Sequence, residues 1–455
     1  MLVRGLVAVA SWLLAAALLA PSAVAAPQQL TYRYGPIDIG PYQVNQDTAF
    51  GNVPKPPMDG FITHMEADLV YPNGDPVSPT QVMLHHIVFL NLGETGKFDH
   101  HDWTCSVFTD LSGKTKLPAL ADRFYASGEE RNVLDLPGGY GYPVKANDNW
   151  ILLWMLMNHH PYTHRVYIQY KITYETEPLT PAYMVWLDVR NCLSDPVFDV
   201  PGGGLPGSTY SRTATWTAPT AGRIVAGGGH LHGGGKSITL TEPDCGDRQL
   251  FVSRPLYGQP DAPVYLARPI LHEPGPINMS GFLAPQGLPL GRGHRLKITA
   301  TYDNQYLHSR VMGIMGVYFA PDATVTDGCA PLTPIQTYAS SGPGRADPPH
   351  FPIPLSRKPR GKVRHLRSNS TIHERNFAFH PQRISVRAGT TLRWKFEDST
   401  LHDVTVASGP RGFSSPYLSN GRSFRAKLKT PGTYRLFCTI HPTSMTQEIK
   451  VSKRR

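Results

Sequence analysis

Charged residues are scarce in this chain of 455 residues: they make up 17% of it, whereas about 25% is usual for soluble domains. Cysteine is also rare, with five residues, and beyond the N-terminal segment no apolar run is long enough to cross a bilayer. Glycine and proline are abundant instead, at 42 and 43 residues, but the glycines have no period of three. A hydrophobic content of 40% excludes a disordered chain, and the missing period excludes collagen. So much glycine and proline also disfavours a helical bundle, so the composition predicts an exported all-β protein.

The N-terminus has the pattern of a secretory signal peptide. Arg4 precedes an apolar core over residues 6–19, and Ala23-Val24-Ala25 supplies the small residues of a cleavage site. We therefore expect residues 1–26 to be removed. The mature protein is then expected outside the cytoplasm, without a membrane span.

The odd number of cysteines leaves one thiol without a partner. Cys438 stands alone in the last hundred residues, and we expect it to stay unpaired. The other four can form two disulfides in three possible pairings, and an exported protein favours their formation. These four are Cys105, Cys192, Cys245 and Cys329.

Alternating and β-branched runs predict strands along most of the chain, for example over 166–174, 295–302 and 433–438. The one stretch with a helical pattern is short, near 117–125. The residues between the signal peptide and about 330 are too many for one sandwich, so we expect two. The predicted segments are two jelly-roll β-sandwich domains over 27–180 and 181–329, a Pro/Gly-rich and basic linker over 330–365, and a third β-domain over 366–455.

The net charge of +10 is unevenly distributed. Residues 351–455 carry 21 Lys and Arg against five Asp and Glu, while the rest of the chain carries 23 against 29. A basic segment beside an acidic body can bind nucleic acid or a membrane, or one domain can dock on another. No nucleic-acid-binding motif accompanies the charge, so no nucleic-acid partner is expected. We expect domain docking that weakens as salt rises.

Four residues of types that bind copper occur in order within the third domain. His402 comes first, and Cys438, His441 and Met445 follow a predicted strand at close spacing. A thiolate, two imidazoles and a thioether form the soft ligand set of a blue-copper electron-transfer site. The segment over 366–455 resembles plastocyanin and amicyanin, the small cupredoxins. The resemblance implies a cupredoxin Greek-key sandwich with one type 1 copper.

Two histidine motifs before residue 330 have the spacing of metal ligands. His85 and His86 lie within an apolar run, where a buried imidazole needs a partner. His230 and His232 are separated by one residue and flanked by glycines, so in a strand both side chains point to one face and can share a metal ion. Three other histidines are assigned no role beyond strand or loop: His272, His294 and His308.

These motifs resemble the copper type II, ascorbate-dependent monooxygenases, the family of peptidylglycine α-hydroxylating and dopamine β-monooxygenases. That family pairs two jelly-roll domains, one with a copper held by a His-His pair and a distant His, the other with a copper held by His-x-His and Met. The resemblance implies two type 2 coppers. Their ligands are His85, His86 and His159 for the first copper, and His230, His232 and Met312 for the second. The alternatives are Met157, His160 or His164 in place of His159, and Met315 in place of Met312.

Together the two resemblances imply an exported copper-dependent monooxygenase that uses O2 to hydroxylate an aliphatic C–H bond of a small-molecule or peptide substrate. The copper at His230, His232 and Met312 is then the catalytic one, and the other type 2 copper delivers the second electron. The cupredoxin relays electrons from an external donor, either ascorbate or a redox protein. The alternative is a non-enzymatic copper-binding or electron-transfer protein, which would not consume O2 in the presence of ascorbate.

Overall fold

The computed structural model describes residues 26–94, 102–109, 116–338 and 344–454. Strands make up 54% of the structure and helices 2%, which confirms the all-β class. The predicted signal peptide lies almost entirely outside the described residues. Within them, none of the helices has the length and apolar character needed to cross a bilayer.

The first sandwich consists of two facing sheets. Its strands are β1 (Gln28–Ile39), β2 (Val44–Phe50), β3 (Gly60–Val70), β4 (Val82–Glu94), β5 (Val107–Thr109), β6 (Lys116–Pro118), β7 (Asp122–Gly128), β8 (Leu134–Asp135), β9 (Tyr140–Val144), β10 (Asp148–Asn158), β11 (His164–Glu175) and β12 (Thr180–Pro181). One sheet has the order β1-β11-β3-β9-β12, with β8 also paired to β3, and the other has the order β2-β10-β4-β7. The short strands β5 and β6 pair only with each other.

The second sandwich begins one residue after β12. Its elements are β13 (Tyr183–Asp188), β14 (Phe198–Val200), β15 (Thr209–Thr217), β16 (Gly222–Leu231), β17 (Gly235–Glu242), a 3₁₀ turn (Pro243–Cys245), β18 (Arg248–Ser253), β19 (Pro255–Gly258), α1 (Pro263–Leu266), β20 (Asn278–Met279), β21 (Gly281–Leu290), β22 (Arg295–Asp303), β23 (His308–Val311), β24 (Gly313–Pro321), β25 (Gln336–Tyr338) and β26 (Gly344–Arg345). Its main sheets have the orders β13-β24-β16-β21-β25 and β15-β22-β17-β18. Two small sheets, β14-β23 and β20-β19-β26, lie beside them.

The third sandwich is the smallest. Its strands are β27 (Arg364–His365), β28 (Thr371–Arg375), β29 (Ala378–His380), β30 (Arg383–Arg387), β31 (Thr390–Phe396), β32 (Thr405–Ser408), β33 (Ser423–Leu428), β34 (Gly432–Phe437) and β35 (Thr446–Ser452). A sheet with the order β27-β30-β35-β34-β32 faces one with the order β29-β28-β31-β33. The core between them includes Trp394, Leu436 and Ile449, all fully buried.

The first two sandwiches share an apolar core. Met184 and Trp186 of β13 and Tyr318 of β24 pack with Phe124 of β7 in one continuous cluster of buried side chains. The Tyr318 hydroxyl donates a hydrogen bond of 2.9 Å to the Phe124 carbonyl. The contact fixes β4 and β7 of the first sandwich close to β16 and β24 of the second, and these strands carry or flank the histidine motifs.

The prediction of a helix near 117–125 is wrong, because strands β6 and β7 occupy most of this stretch. Neighbouring residues Phe124 and Tyr125 are both buried, at 0% and 1% exposure. Strand β7 has its own sandwich on one side and the second sandwich on the other, so both of its faces are buried. A strand buried on both faces lacks the alternation by which sequence reveals it.

Part of the segment expected to be a linker makes specific contacts. This part comprises residues 344–363, and we call it the strap. Phe351 of the strap stacks on Tyr265, with ring centroids 4.6 Å apart, and Ile353 packs against Phe437 of the third sandwich. Strand β26 also pairs with β19 of the second sandwich. The strap therefore holds the third sandwich against the second in place of a free tether.

Two disulfides are present and one thiol is free, as the cysteine count predicts. Cys105 pairs with Cys192 and Cys245 with Cys329, which selects one of the three possible pairings. The first bridge joins the first sandwich to the beginning of the second. Cys438 is unpaired and buried.

Candidate metal centres

Four side chains meet at one end of the third sandwich. Cys438 directly follows β34 and Met445 directly precedes β35, while His402 lies shortly before β32. The Nδ1 atoms of His402 and His441 are 3.0 Å apart and lie 4.0 and 3.6 Å from Sγ of Cys438. Met445 is fully buried beside them in the same core cluster as Cys438. Two imidazole nitrogens and a thiol sulfur therefore face one another, as the ligands of a single soft metal ion do.

Backbone hydrogen bonds close the turn that carries three of these residues. The Cys438 N–H donates to the Met445 carbonyl over 3.1 Å, and the Met445 N–H donates to the His441 carbonyl over 3.1 Å. The His441 N–H donates in turn to the Cys438 carbonyl over 3.2 Å. The turn therefore brings the three side chains to the same end of the sandwich.

Asp403 joins the two loops of the site. Its carboxylate accepts hydrogen bonds from the N–H and hydroxyl of Thr439, at 2.7 and 3.0 Å, and from the Thr405 hydroxyl at 2.5 Å. Its own N–H points at Sγ of Cys438 over 3.5 Å. Burial raises the pKa of the Cys438 thiol well above its usual value, so a bound cation must replace the thiol proton for the thiolate to persist. This donor set fits copper.

The side of the His402 ring that points away from Cys438 also has polar partners. Its Nε2 lies 2.9 Å from the Thr400 hydroxyl and 3.3 Å from Oδ2 of Asp398. Such partners fix the orientation of a metal-binding imidazole. They leave Nδ1 pointing towards Cys438.

A two-sheet sandwich with a buried cysteine, two histidines and a methionine at one end is the arrangement of the cupredoxins, the class of small copper proteins that transfer electrons. Residues 367–452 match the family model described as copper binding proteins, plastocyanin/azurin family. Plastocyanin of Dryopteris crassirhizoma is 35% identical over 83 residues, which cover 15% of this chain and 81% of that protein. Amicyanin-alpha of Methylorubrum extorquens is 30% identical over 67 residues, which cover 14% of this chain and 56% of that protein. The chain belongs to the plastocyanin/azurin family through its C-terminal domain, which binds copper and transfers electrons.

Solved structures of cupredoxins are also similar to this chain. A purple cupredoxin from Nitrosopumilus maritimus is 23% identical, with coverage of 18% of this chain and 100% of that one and a TM-score of 0.17. A Cu(I) form of an amicyanin mutant is 18% identical, with coverage of 18% and 82% and a TM-score of 0.18. All of these similarities concern the third sandwich.

A second cluster of imidazoles lies between the first two sandwiches, and it begins at a β-bulge. In the pairing of β10 with β4, Met155 opposes His86 and Leu156 opposes Leu84, so His85 is the extra residue of the bulge. A bulge lets two consecutive side chains leave the strand towards the same side. The Nδ1 atoms of His85 and His86 are accordingly 3.0 Å apart. Burial lowers the pKa of His85 well below its usual value and that of His86 to about 4, so both rings stay neutral and can donate lone pairs to a metal.

His230 and His232 reach the same place from β16 of the second sandwich and the turn after it. Their ring centroids are 5.1 Å apart, and that of His232 is 5.3 Å from that of His85. Gly229 has no room for a side chain, because a Cβ atom there would lie 2.6 Å from Cγ2 of Ile238. The glycine thus lets β16 lie close to its neighbours. The two histidine motifs expected to bind separate coppers therefore meet in one cluster.

Three residues without a sequence-based assignment complete this cluster. The ring centroid of His272 lies 4.8 Å from that of His85. Nε2 of His272 is 2.7 Å from Oε1 of Glu129, and Nδ1 of His230 is 3.0 Å from Oε2 of Glu130. Burial alone would lower the pKa of His230 and His272, but Glu130 and Glu129 respectively raise it above its usual value. The glutamates could have been found from the sequence, because they are adjacent and directly follow a buried strand. His272 gives no such signal, because it lies in an irregular loop without a repeating pattern.

His159 lies behind this cluster. It is 2% exposed, its Nδ1 is 3.2 Å from the Pro269 carbonyl, and its Nε2 has no hydrogen-bond partner among the described residues. The ring of His272 takes the place against His85 that was expected for His159. Nearby His160 and His164 instead belong to a group with tyrosines, where His164 lies 3.4 Å from the Tyr71 hydroxyl.

Strand register separates the two candidate thioethers. Met315 opposes Gly229 on β16 and is fully buried in the core of the second sandwich. His230 opposes Ile314, and continuing this register places Met312 opposite His232. Paired residues share a face of the sheet, so Met312 lies on the histidine face and lines the same cavity as His230 and His232. Besides that of Met312, the thioether of Met83 approaches the cluster, because its Sδ is 3.0 Å from Nε2 of His272.

One cavity of about 550 Å³ lies between the histidine cluster and the cupredoxin. Its lining includes the histidine cluster at one side and Tyr417 and Thr439 of the third sandwich at the other. Thr439 directly follows Cys438 in the chain. The cupredoxin is therefore placed over the cavity that the other two sandwiches form.

The contact between the cupredoxin and the other sandwiches centres on Arg310, which is 8% exposed. Its guanidinium donates to the Ser415 carbonyl over 3.0 Å and to the Asp195 carboxylate over 2.5 Å. It also lies over the Tyr417 ring, with Cζ 4.1 Å from the ring centroid. The Ser414 N–H and hydroxyl add hydrogen bonds to Asp199 at 2.8 and 2.9 Å.

Proposed function

We propose that the protein is an exported copper-dependent monooxygenase that uses O2 to hydroxylate an aliphatic C–H bond, with its cupredoxin domain as the electron donor. The observation that carries this proposal is the single cavity on which both the histidine cluster and the blue-copper end of the cupredoxin lie. A free electron carrier needs no second set of imidazoles beside its copper site. The two disulfides agree with a place outside the cytoplasm, since disulfides persist in oxidising compartments.

The residues around the cavity have distinct roles in this proposal. Type 2 copper bound by the histidines would supply the reaction with O2. Glu130 holds the ring of His230 through its Nδ1, and Glu129 does the same for His272 through its Nε2. Because carboxylates raise the basicity of the imidazoles they contact, both glutamates strengthen metal binding. Met312 adds the soft ligand that favours Cu(I).

The lining of the cavity indicates the class of substrate. Apolar side chains such as Leu153 and Met155 cover much of it. Its two arginines are both occupied, since Arg123 pairs with Asp102 at 2.5 Å and Arg310 is held at the cupredoxin contact. Neither guanidinium is open to a substrate carboxylate. We therefore expect a neutral, mainly apolar substrate.

Copper analysis combined with O2 consumption tests the proposal. The purified protein is expected to bind three copper ions, one of them blue, and to consume O2 when ascorbate and an apolar substrate are supplied. His230→Ala should abolish this consumption and leave the blue band intact, because the blue site lies in another domain. A protein that binds only the blue copper, or that binds all three without turning over any substrate, is a copper-binding electron carrier instead.

A further inference from the structure

We propose that His85, His86, His230, His232 and His272, together with Glu129, form one dinuclear copper centre in place of two separate mononuclear ones. This inference rests on the proposed function only in taking copper as the metal. It differs from the sequence-based expectation in the number of centres. It also differs in the ligands, since it adds His272 and Glu129 and omits His159, while Met312 keeps the role that the proposed function gives it.

The spacing of the rings is the first argument. The ring centroid of His85 lies 5.2 Å from that of His86, 5.3 Å from that of His232 and 4.8 Å from that of His272. His85 and His232 come from different sandwiches, yet their rings are as close as those of neighbouring ligands of one ion. Two ions held within this one group of imidazoles would themselves be near neighbours. Paired metal ions in enzymes are typically about 3.5–4 Å apart.

The second argument is the carboxylate of Glu129. Ligand atoms of His85, Glu129 and His272 all lie within 4.8 Å of one another. Oε2 of Glu129 accepts a hydrogen bond from the Gly275 N–H over 2.8 Å, which fixes the orientation of the group. Oε1 lies 2.7 Å from Nε2 of His272, so the carboxylate and the imidazole face the same place. A carboxylate so placed would bind the ion that His85 and His272 hold. The proposal makes it the ligand shared with a second ion at His86, His230 and His232.

The third argument is the balance of charge. Five neutral imidazoles carry no charge to offset two buried divalent ions, and buried ions are stable only when compensated. Glu130 is 1% exposed and its side chain faces His230, while that of Glu129 is 10% exposed and faces His272. The two carboxylates stand on the sides of the cluster where cations would bind.

Electron paramagnetic resonance of the full-length protein loaded with Cu(II) tests the proposal directly. Two Cu(II) spins joined through a shared ligand cancel, so the integrated signal should correspond to one spin per chain, that of the blue copper. Metal analysis of the same sample should give three copper ions. Two additional type 2 signals at full intensity, with the spin count equal to the copper count, would overturn the proposal.

Substitution of the two added ligands gives a second test. Glu129→Gln keeps the shape of the side chain, and both it and His272→Ala should uncover a type 2 signal as the coupling is lost. His160→Ala is the matched control, because this half-buried histidine lies outside the cluster. Thermal unfolding of each variant reports whether it is folded. An unchanged spin count in both variants would remove these residues from the centre. A coupled pair without hydroxylation contradicts only the proposed function, whereas hydroxylation with uncoupled signals contradicts only the dinuclear centre.

Discussion

At the scale of single residues, Cys438 is the ligand that defines the blue centre in the proposed function. Charge transfer from its thiolate to Cu(II) is the source of the blue colour. Cys438→Ser should therefore abolish the visible band of the oxidised protein, which an absorption spectrum measures. Copper bound to the histidine cluster should remain, as metal analysis will show. Any residual blue colour would place the thiolate elsewhere.

Met315 of β24 and Met312, the residue just before this strand, allow a matched comparison. Met312→Ile removes a thioether from the cavity and should reduce substrate hydroxylation strongly, while the blue band stays. Met315→Ile changes a core residue at nearly constant volume, so it should cost less than about 1.5 kcal/mol of stability and leave hydroxylation intact. Turnover assays and thermal unfolding of both variants separate the two effects. The reverse pattern would make Met315 the ligand.

At the scale of elements, the contact between β7 and β4 sets the position of the histidines. A Cβ atom at Gly128 would lie 2.9 Å from the His85 carbonyl and 3.2 Å from Cε1 of His230. Gly128→Ala should therefore push the strands apart, cost about 1–3 kcal/mol and lower the copper content of the histidine cluster. Gly138→Ala is the control, since nothing lies within 4 Å of its Cβ position. Metal analysis and thermal unfolding of both variants provide the measurements, and equal copper contents would show that the contact tolerates a methyl group.

The element scale also explains what the sequence reveals and what it does not. The cupredoxin ligands were predictable because three of them lie on one short turn after a strand, so their spacing along the chain reflects their spacing in space. His272 was not predictable, because the loop that carries it is held in place by distant partners such as His159 and His308, the latter through Glu273 at 2.7 Å. The meeting of His85 with His232 depends on how two sandwiches pack, and no local pattern contains that information.

At the scale of the whole molecule, the interface of the cupredoxin differs from what charge alone predicts. The uneven charge predicts docking between oppositely charged surfaces. The contacts described above are instead of another kind. The buried Arg310 donates a hydrogen bond to a carbonyl and packs on an aromatic ring, and Ser414 donates hydrogen bonds to Asp199. Buried contacts of this kind are screened by salt much less than exposed charges are. We therefore expect the radius of gyration, measured by small-angle X-ray scattering, to stay constant as salt rises, and an increase would restore the charge-based explanation.

Arg310 should control this assembly. Arg310→Met removes the bond to Ser415 and leaves the Asp195 carboxylate without its partner, which typically costs about 1–3 kcal/mol or more. The cupredoxin should then separate from the cavity while the strap keeps it attached, so the radius of gyration should increase and reoxidation of the blue copper by O2 should slow. Arg254→Met, at an exposed position of the second sandwich, is the control. If the two variants have the same scattering curve and the same rate, other contacts hold the domain.

The strap has a consequence for how electrons arrive. Cupredoxins that exchange electrons with separate proteins must first collide with them, so their rates depend on concentration and on the viscosity of the solvent. In the proposed function, Phe351 and Ile353 act together with the Arg310 contact to keep the cupredoxin in place as the electron donor of the cavity. The chain then supplies one donor for each cavity. The internal transfer is then a first-order event over a constant distance. Added glycerol should slow delivery of electrons to the cupredoxin from outside and leave the step from cupredoxin to cavity unchanged.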